Sequence, residues 1–179
     1  SNAIELRYYV DSRALTTTAL YSNGTWLAIL PVLFAGGTLV ILPEFSAKEF
    51  LNTVQKEKIT HTFMVPTQFI VTLDSPDFDN YDLSSLEAVL CGGSPLRPDT
   101  KLEVLKRMTP NLYELYGYSE GFATMNKPGT NQLKPDSVGT PVLGFDVKIV
   151  GDDDSEVNTG EVGEIAGYGA GMMSGYHNN

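Results

Sequence analysis

The sequence has little cysteine, histidine or positive charge. Cys91 is the only cysteine, and His61 and His177 are the only histidines. A single thiol cannot form an internal disulfide, which suits a reducing compartment, so we expect a cytoplasmic protein. One cysteine and two distant histidines do not make a zinc site of the usual spacing. No glycine-rich loop ends in a lysine in the manner of a nucleotide-triphosphate P-loop. Histidine is also too scarce for a Ser-His-Asp hydrolase, since His61 sits in an apolar strand-like run and reads as a core or edge residue. Lys and Arg number 12 against 22 Asp and Glu, a formal charge of −10, and no basic stripe is visible. Nucleic acid is therefore not an expected partner. The longest apolar stretch, residues 26–35, contains Pro31 and is about half the roughly 20 residues a membrane-spanning helix needs, so no transmembrane segment is expected.

What remains is enough for a folded core. Hydrophobic residues make up 42% of the 179 and charged residues 19%. Burying a large apolar side chain is worth roughly 1.5–3 kcal/mol, which offsets the entropy of ordering a chain this long. Much of the acidic excess lies at Asp152, Asp153, Asp154, Glu156 and Glu161 and reads as solvated turns.

From residue 15 to residue 116, strand-like and helix-like segments alternate. The Thr-rich run 15–21 is β-prone, and 26–35 has helical length and stops at Gly36-Gly37. Residues 38–42 form a continuous apolar run, as expected of a strand buried on both faces. Ser46 and Glu49 have capping-box spacing for a helix reaching about Lys58. Residues 60–65 predict a strand, Pro66 opens a short helix, and 87–91 predict a strand ended by Gly92-Gly93. A further helix near Pro98 would place Leu102, Leu105 and Met108 on one face, and 112–116 is strand again. This alternation indicates βαβ units and a parallel sheet.

Past residue 134 the pattern changes. Phe145, Val147 and Ile149 alternate with Asp146 and Lys148, and a second short strand begins at Gly163-Glu164-Ile165. The fold class expected is α/β, a parallel βαβ subdomain over 4–133 followed by a short antiparallel, partly barrel-like segment over 134–179. Ser1-Asn2-Ala3 reads as a remnant of an expression tag. The abrupt close at Gly175-Tyr176-His177-Asn178-Asn179 suggests an excised piece of a longer chain.

In an open parallel sheet, ligands collect beyond the carboxyl ends of the strands. Two such ends carry unusual residues. Gly92-Gly93-Ser94-Pro95 would let a flat group approach the backbone, although the same residues also suit a plain strand-to-helix turn. In Tyr116-Gly117-Tyr118-Ser119-Glu120-Gly121 a tyrosine ring could stack on a purine, Ser119 could meet a phosphate oxygen and Glu120 could ligate Mg2+. A glycine-rich turn with an exposed acid is the alternative for that segment.

The ordered set of these segments resembles the adenylate-forming (AMP-binding) superfamily, which includes acyl-CoA synthetases, aryl-CoA ligases, luciferases and peptide-synthetase adenylation domains. The matching runs are Thr38-Leu39-Val40, His61-Thr62-Phe63-Met64-Val65-Pro66-Thr67, Asp82-Leu83-Ser84-Ser85-Leu86, Cys91-Gly92-Gly93-Ser94-Pro95-Leu96 and Tyr116-Gly117-Tyr118-Ser119-Glu120. Ser137-Val138-Gly139-Thr140-Pro141, Gly160-Glu161-Val162-Gly163-Glu164-Ile165 and Gly175-Tyr176 continue the match in order. Within the superfamily the sequence is most similar to acyl-CoA synthetases of the fatty-acid or aryl-acid type.

The resemblance implies an ATP-dependent ligase with ATP or AMP, Mg2+ and coenzyme A as cofactors and co-substrates, and a small-molecule carboxylate as substrate. It implies that Gly93, Ser94 and Pro95 lie along the adenine and that Tyr116 stacks on it. Ser119 would contact the α-phosphate in place of the family's threonine, and Glu120 would be the metal-binding glutamate. Gly92, Glu114, Leu115 and Gly117 would line the nucleotide and acyl region. Tyr21, Ser22 and Gly24 would border the acyl pocket, with Ser22 in place of the usual histidine, a departure that bears on gating and carboxylate preference. Leu115 stands where some aryl ligases have glycine, which would favour an aliphatic wall. The family's phosphate loop, ribose-binding aspartate and C-terminal catalytic lysine have no counterpart in these 179 residues. The chain alone is therefore expected to be inactive and to self-associate through exposed sheet edges. A non-catalytic nucleotide-binding relative and an adenylation domain that loads a carrier protein are the alternatives.

Overall fold

The computed structural model describes residues 2–178. Its chain order is α1 (Asn2–Glu5), β1 (Arg13–Thr16), α2 (Asn23–Phe34), β2 (Thr38–Ile41), α3 (Ala47–Glu57), β3 (His61–Met64), α4 (Pro66–Leu73), β4 (Ala88–Cys91), α5 (Pro98–Glu103), β5 (Leu112–Gly117), β6 (Ala123–Asn126), α6 (Thr130–Leu133), β7 (Thr140–Pro141), β8 (Phe145–Val150) and β9 (Glu164–Gly169). Strands β1 to β5 are parallel in the order β2-β1-β3-β4-β5, and β6 and β7 extend the same sheet antiparallel from β5. A second sheet is the antiparallel pair β8–β9.

The two-residue period of a strand sends alternate side chains to opposite faces. Met64, Val89, Cys91 and Leu112 pack toward α3, α4 and α5 with Phe50, Val54, Phe69 and Val104. Phe63, Ala88, Leu90 and Tyr113 pack the other way, with Leu6 and Ala28. Helices thus cover both faces, and α2 and α3 leave from opposite sides of the sheet. That puts the reversal of strand order at β1 and β3, where open α/β sheets place their crevice.

Local chemistry explains the boundaries. At the end of α2, Gly36 takes φ 77 and the Gly37 N–H bonds the Val32 carbonyl, closing the last turn. Ser46 accepts from the Glu49 N–H at 3.2 Å and starts α3. In α4 the Gln68 side chain reaches back to the Val65 N–H at 3.1 Å.

Several elements depart from the sequence reading. β1 ends at Thr16, because the threonines beyond it serve a loop: Thr18 and Thr25 share a 2.7 Å hydrogen bond, and Thr25 donates to the Ala19 carbonyl. α2 consequently begins at Asn23, three residues earlier than expected. β2 is the edge of the sheet and is half-exposed, so its apolar run is not covered on both faces. On α5, Leu102 points to solvent while Lys101 is 1% exposed. The helix continues as a wider turn over Val104–Met108, and its buried positions are Lys101, Val104 and Met108.

Candidate functional site

The carboxyl ends of β3, β4 and β5 and the first turns of α2 meet around a cavity of about 740 Å³. Its floor is the Phe63 ring, and its walls include Trp26, Leu27, Leu30 and Phe34 of α2, with Val65, Leu115 and Phe122. Among the described residues no charged side chain lines it; its polar side chains are Asn2, Ser22, Asn23, Tyr118 and Ser119, with the Trp26 indole N–H. Gly24 is required by the floor, since a Cβ there would lie 2.6 Å from the Phe63 ring.

A second cavity of about 500 Å³ adjoins the first and is lined by residues 93–98, 114–117 and 135–138 together with Lys101. Gly93, Leu115 and Gly117 border both spaces, so the partition is one strand end thick. Gly93 has φ 91, which a side chain would strain. Beneath this cavity Lys101 Nζ lies 2.5 Å from Glu114 Oε2 and also donates to the Pro135 carbonyl. Glu114 Oε1 accepts from the Leu96 N–H at 3.3 Å. The Cys91 thiol nearby is pushed well up by burial, and by the Glu114 charge after that, so it is an inert core group.

Residues 118–122 are the hairpin loop between β5 and β6. Asn23 Nδ2 donates to Ser119 Oγ at 2.7 Å, and the Tyr118 ring meets Phe122 edge-on at 4.7 Å. The Tyr176 hydroxyl donates to Glu120 Oε1 at 2.7 Å, while the Met173 N–H bonds the Glu120 carbonyl. Tyr176 holds the Glu120 carboxyl below the usual carboxylate range.

Gly117-Tyr118-Ser119-Glu120-Gly121 has the Gly-x-Ser-x-Gly spacing of a hydrolase nucleophile elbow. That motif needs a strand-to-helix turn and a histidine base. Here the serine sits in an antiparallel hairpin and its partner is an asparagine. His61 is buried with its ring stacked on Tyr8 at 4.0 Å and bonded to the Leu6 carbonyl, and His177 contacts Asn178. The Ser-His-Asp arrangement is absent among the described residues.

The expected site residues fall into four groups. Ser22, Gly24, Gly92 and Ser119 line the first cavity. Ser94, Pro95, Glu114 and Tyr116 line the second, and Gly93, Leu115 and Gly117 line both. Tyr21 lines neither and is 94% exposed, and Glu120 lines neither but follows Ser119 directly. Sequence reasoning missed Lys101 and Tyr176, and it placed Asn23 in the run Tyr21-Ser22-Asn23-Gly24 beside the acyl pocket without its bond to Ser119. Gly175-Tyr176 was part of the matched motif set, so a signal existed for Tyr176. The contacts of Asn23 and Lys101 span 96 and 34 residues of sequence and left no local trace.

An open, mostly parallel α/β sheet with two adjoining cavities at the carboxyl ends of its strands is the class of protein defined by this fold and site. The chain belongs to the AMP-binding enzyme family, whose model matches residues 2–177. An indoleacetate–CoA ligase of Aromatoleum aromaticum is 34% identical over 99% of this chain and 36% of its own length. A medium/long-chain-fatty-acid–CoA ligase of Mycobacterium tuberculosis is 33% identical over 97% of this chain and 31% of its own. The amide bond synthetase McbA from Marinactinospora thermotolerans superposes with a TM-score of 0.90 at 30% identity, covering 98% of this chain and 36% of that one. The chain spans about a third of the length of the curated relatives it matches.

Proposed function

We propose that this chain forms the acyl and nucleotide subsites of an ATP-dependent acid–thiol ligase, an acyl-CoA synthetase acting on a fatty or aryl acid in the cytoplasm. One observation carries the reading: an uncharged apolar cavity and a polar-floored cavity share the wall Gly93, Leu115 and Gly117. A carboxylate entering from the first would meet a phosphate entering from the second at the end of β5.

The reaction would run in two steps. A carboxylate oxygen attacks the α-phosphorus of ATP and pyrophosphate leaves, giving an acyl-adenylate. The sulfur of coenzyme A then attacks the acyl carbon and AMP leaves. Charge builds at the phosphoryl oxygens in the first step, so fixed donors placed beforehand lower the barrier. Ser119 Oγ accepts its hydrogen bond from Asn23, which leaves its own proton free to be donated across the partition. Tyr116, 37% exposed, offers a ring face in the second cavity. The apolar walls of the first cavity suit an uncharged acyl tail, which would cover side chains such as Leu30 and Phe34 that are open to solvent.

Mg2+ is commonly held by one or two protein carboxylates together with substrate phosphates and water. Glu120 is a single acid beside Ser119, and the described residues contain no cluster of three or more His, Cys, Asp or Glu side chains able to hold an ion. The donor set therefore fits an ion that arrives with the nucleotide, with Glu120 as the residue that would hold it. The ion would supply positive charge toward the phosphate oxygens.

Acid-dependent ATP–pyrophosphate exchange by the full-length protein tests this reading, over a panel from acetate to long-chain fatty acids and hydroxycinnamates. Exchange with one class of acid is the expected result. Its absence from folded protein that still binds ATP would instead indicate a binding-only relative. The 179-residue chain alone is expected to show no turnover above a Glu120→Ala control.

A further inference from the structure

Lys101 is the least expected residue in the molecule. It is 1% exposed, yet its stem comes from α5, a helix whose exposed face carries Asp99, Leu102 and Glu103. Lysines are almost never fully buried without a paired charge, and removing one member of a buried pair strands the other. Its ammonium holds two separate walls of the second cavity at once: the Glu114 carboxylate on β5, at 2.5 Å, and the Pro135 carbonyl at the head of the 135–138 loop. Through Glu114 Oε1 the same pair also holds the Leu96 N–H, in the loop that carries Gly93, Ser94 and Pro95. Three segments distant in sequence, 93–98, 114–117 and 135–138, thus meet at one buried charge, which adds to the β4–β5 pairing and to the bonds from Thr124 and Asn126 to the Val138 and Ser137 carbonyls. The first cavity has a separate and less buried tie, Glu5 of α1 pairing with Lys127 at 2.6 Å and accepting from the Leu143 N–H, and Lys101 does not line that cavity.

We propose that Lys101 is a positioning residue for the ligand of the second cavity, acting through Glu114 and the 135–138 loop without contributing to the acyl cavity. This rests on the nucleotide reading of that cavity given above. The alternation of β5 supports the division of labour. Glu114 shares the α5 face with Leu112, whereas Tyr113 and Leu115 pack on the α2 face, so a disturbance of the ion pair enters the sheet from the side away from the acyl cavity. Without the ammonium, the Glu114 carboxylate would have to be neutralised or hydrated, and the Pro135 carbonyl would lose its donor. Both changes widen the second cavity.

The test uses the full-length protein and two variants, Lys101→Met and the charge-free pair Lys101→Met with Glu114→Gln. AMP binding is read by titration calorimetry, KM for ATP and for the acid by exchange kinetics, and Tm by calorimetric scan. Both variants should weaken AMP at least tenfold and raise KM for ATP in parallel, with KM for the acid within twofold of wild type. The charge-free pair should regain most of the Tm lost by Lys101→Met without regaining AMP affinity, and it carries the test if the single variant does not fold. AMP affinity within twofold of wild type in either folded variant would overturn the proposal and leave the pair a purely scaffolding feature. So would an equal rise in both KM values. Wild-type protein that exchanges no acid and binds no AMP would sink the ligase reading itself, a failure visible before any variant is made.

Discussion

Asn23, at the first turn of α2, donates a 2.7 Å hydrogen bond to Ser119 in the β5–β6 hairpin, joining the two ends of the site across 96 residues of sequence. The bond orients the hydroxyl: with its lone pair engaged by the amide, the serine proton points elsewhere and is available to a ligand.

Replacing Asn23 with alanine should leave the fold intact, because the contact is exposed, and should lower kcat/KM for adenylation by about tenfold or less. That is the scale of one neutral hydrogen bond, about 0.5–1.5 kcal/mol. Ser119→Ala should cost more, since it removes the donor as well as its orientation. Equal rates for Asn23→Ala and wild type in the exchange assay would show that the hydroxyl needs no guide.

Tyr176 and Glu120 bear on pH. The tyrosine O–H favours the charged carboxylate, so Glu120 titrates below its ordinary range. Removing that donor with Tyr176→Phe should raise the Glu120 pKa and shift the acid limb of the exchange rate to higher pH. Glu120→Ala should abolish the limb together with most of the rate. An acid limb unmoved by Tyr176→Phe would assign it to another group.

His61 should make stability fall on mild acidification. Burial holds its pKa below the ordinary histidine value, and its ring is bonded to the Leu6 carbonyl. The unfolded chain therefore binds more protons than the folded one once pH drops toward about 6.5, and stability declines from there down through the folded-state pKa. Above that window His61 contributes no slope. His61→Phe should flatten the dependence of urea midpoint on pH between 7 and 5, at a constant cost of about 1–3 kcal/mol for the orphaned Leu6 carbonyl. A slope equal to wild type would point to the carboxylates instead.

The isolated chain should self-associate. Phe34 is 86% exposed, Leu30 and Leu33 on the same helix are 58% and 56% exposed, and edge strand β2 leaves Ile41 half open. Unpaired edges and exposed apolar helices are the features that drive pairing between copies. Sedimentation velocity at high concentration should show species above the monomer, reduced by Phe34→Glu combined with Ile41→Lys. A strictly monomeric profile for the unmodified chain would refute this.

Most of the parallel sheet was legible because its signals are local. Apolar runs ending in Gly-Gly or Pro marked β3, β4 and their turns, and Ser46 with Glu49 marked the start of α3. Edge position was not legible, since Leu39, Val40 and Ile41 look the same whether one face or two is covered. Lys101 defeats hydropathy outright: at helical spacing it competes with its neighbour Leu102 for the core, and the partner that decides in its favour, Glu114, lies on another element. The strand-end motifs at Gly92-Gly93 and Tyr116-Gly117 were legible as candidate sites. That they wall two cavities and not one follows only from the pairing of β4 with β5.

The alternation along β5 works as an address. Glu114 and Tyr116 are delivered to one space, Leu115 to both and Tyr113 to the opposite layer, by parity alone. A single-residue insertion or deletion between Leu112 and Gly117 would swap the faces of Tyr113 and Glu114, turning a charged group toward the greasy chamber. Point changes at this strand can retune a ligand, but changes in its length would move a charge to the wrong chamber. Natural variation in such a segment should therefore be rich in substitutions and nearly devoid of gaps.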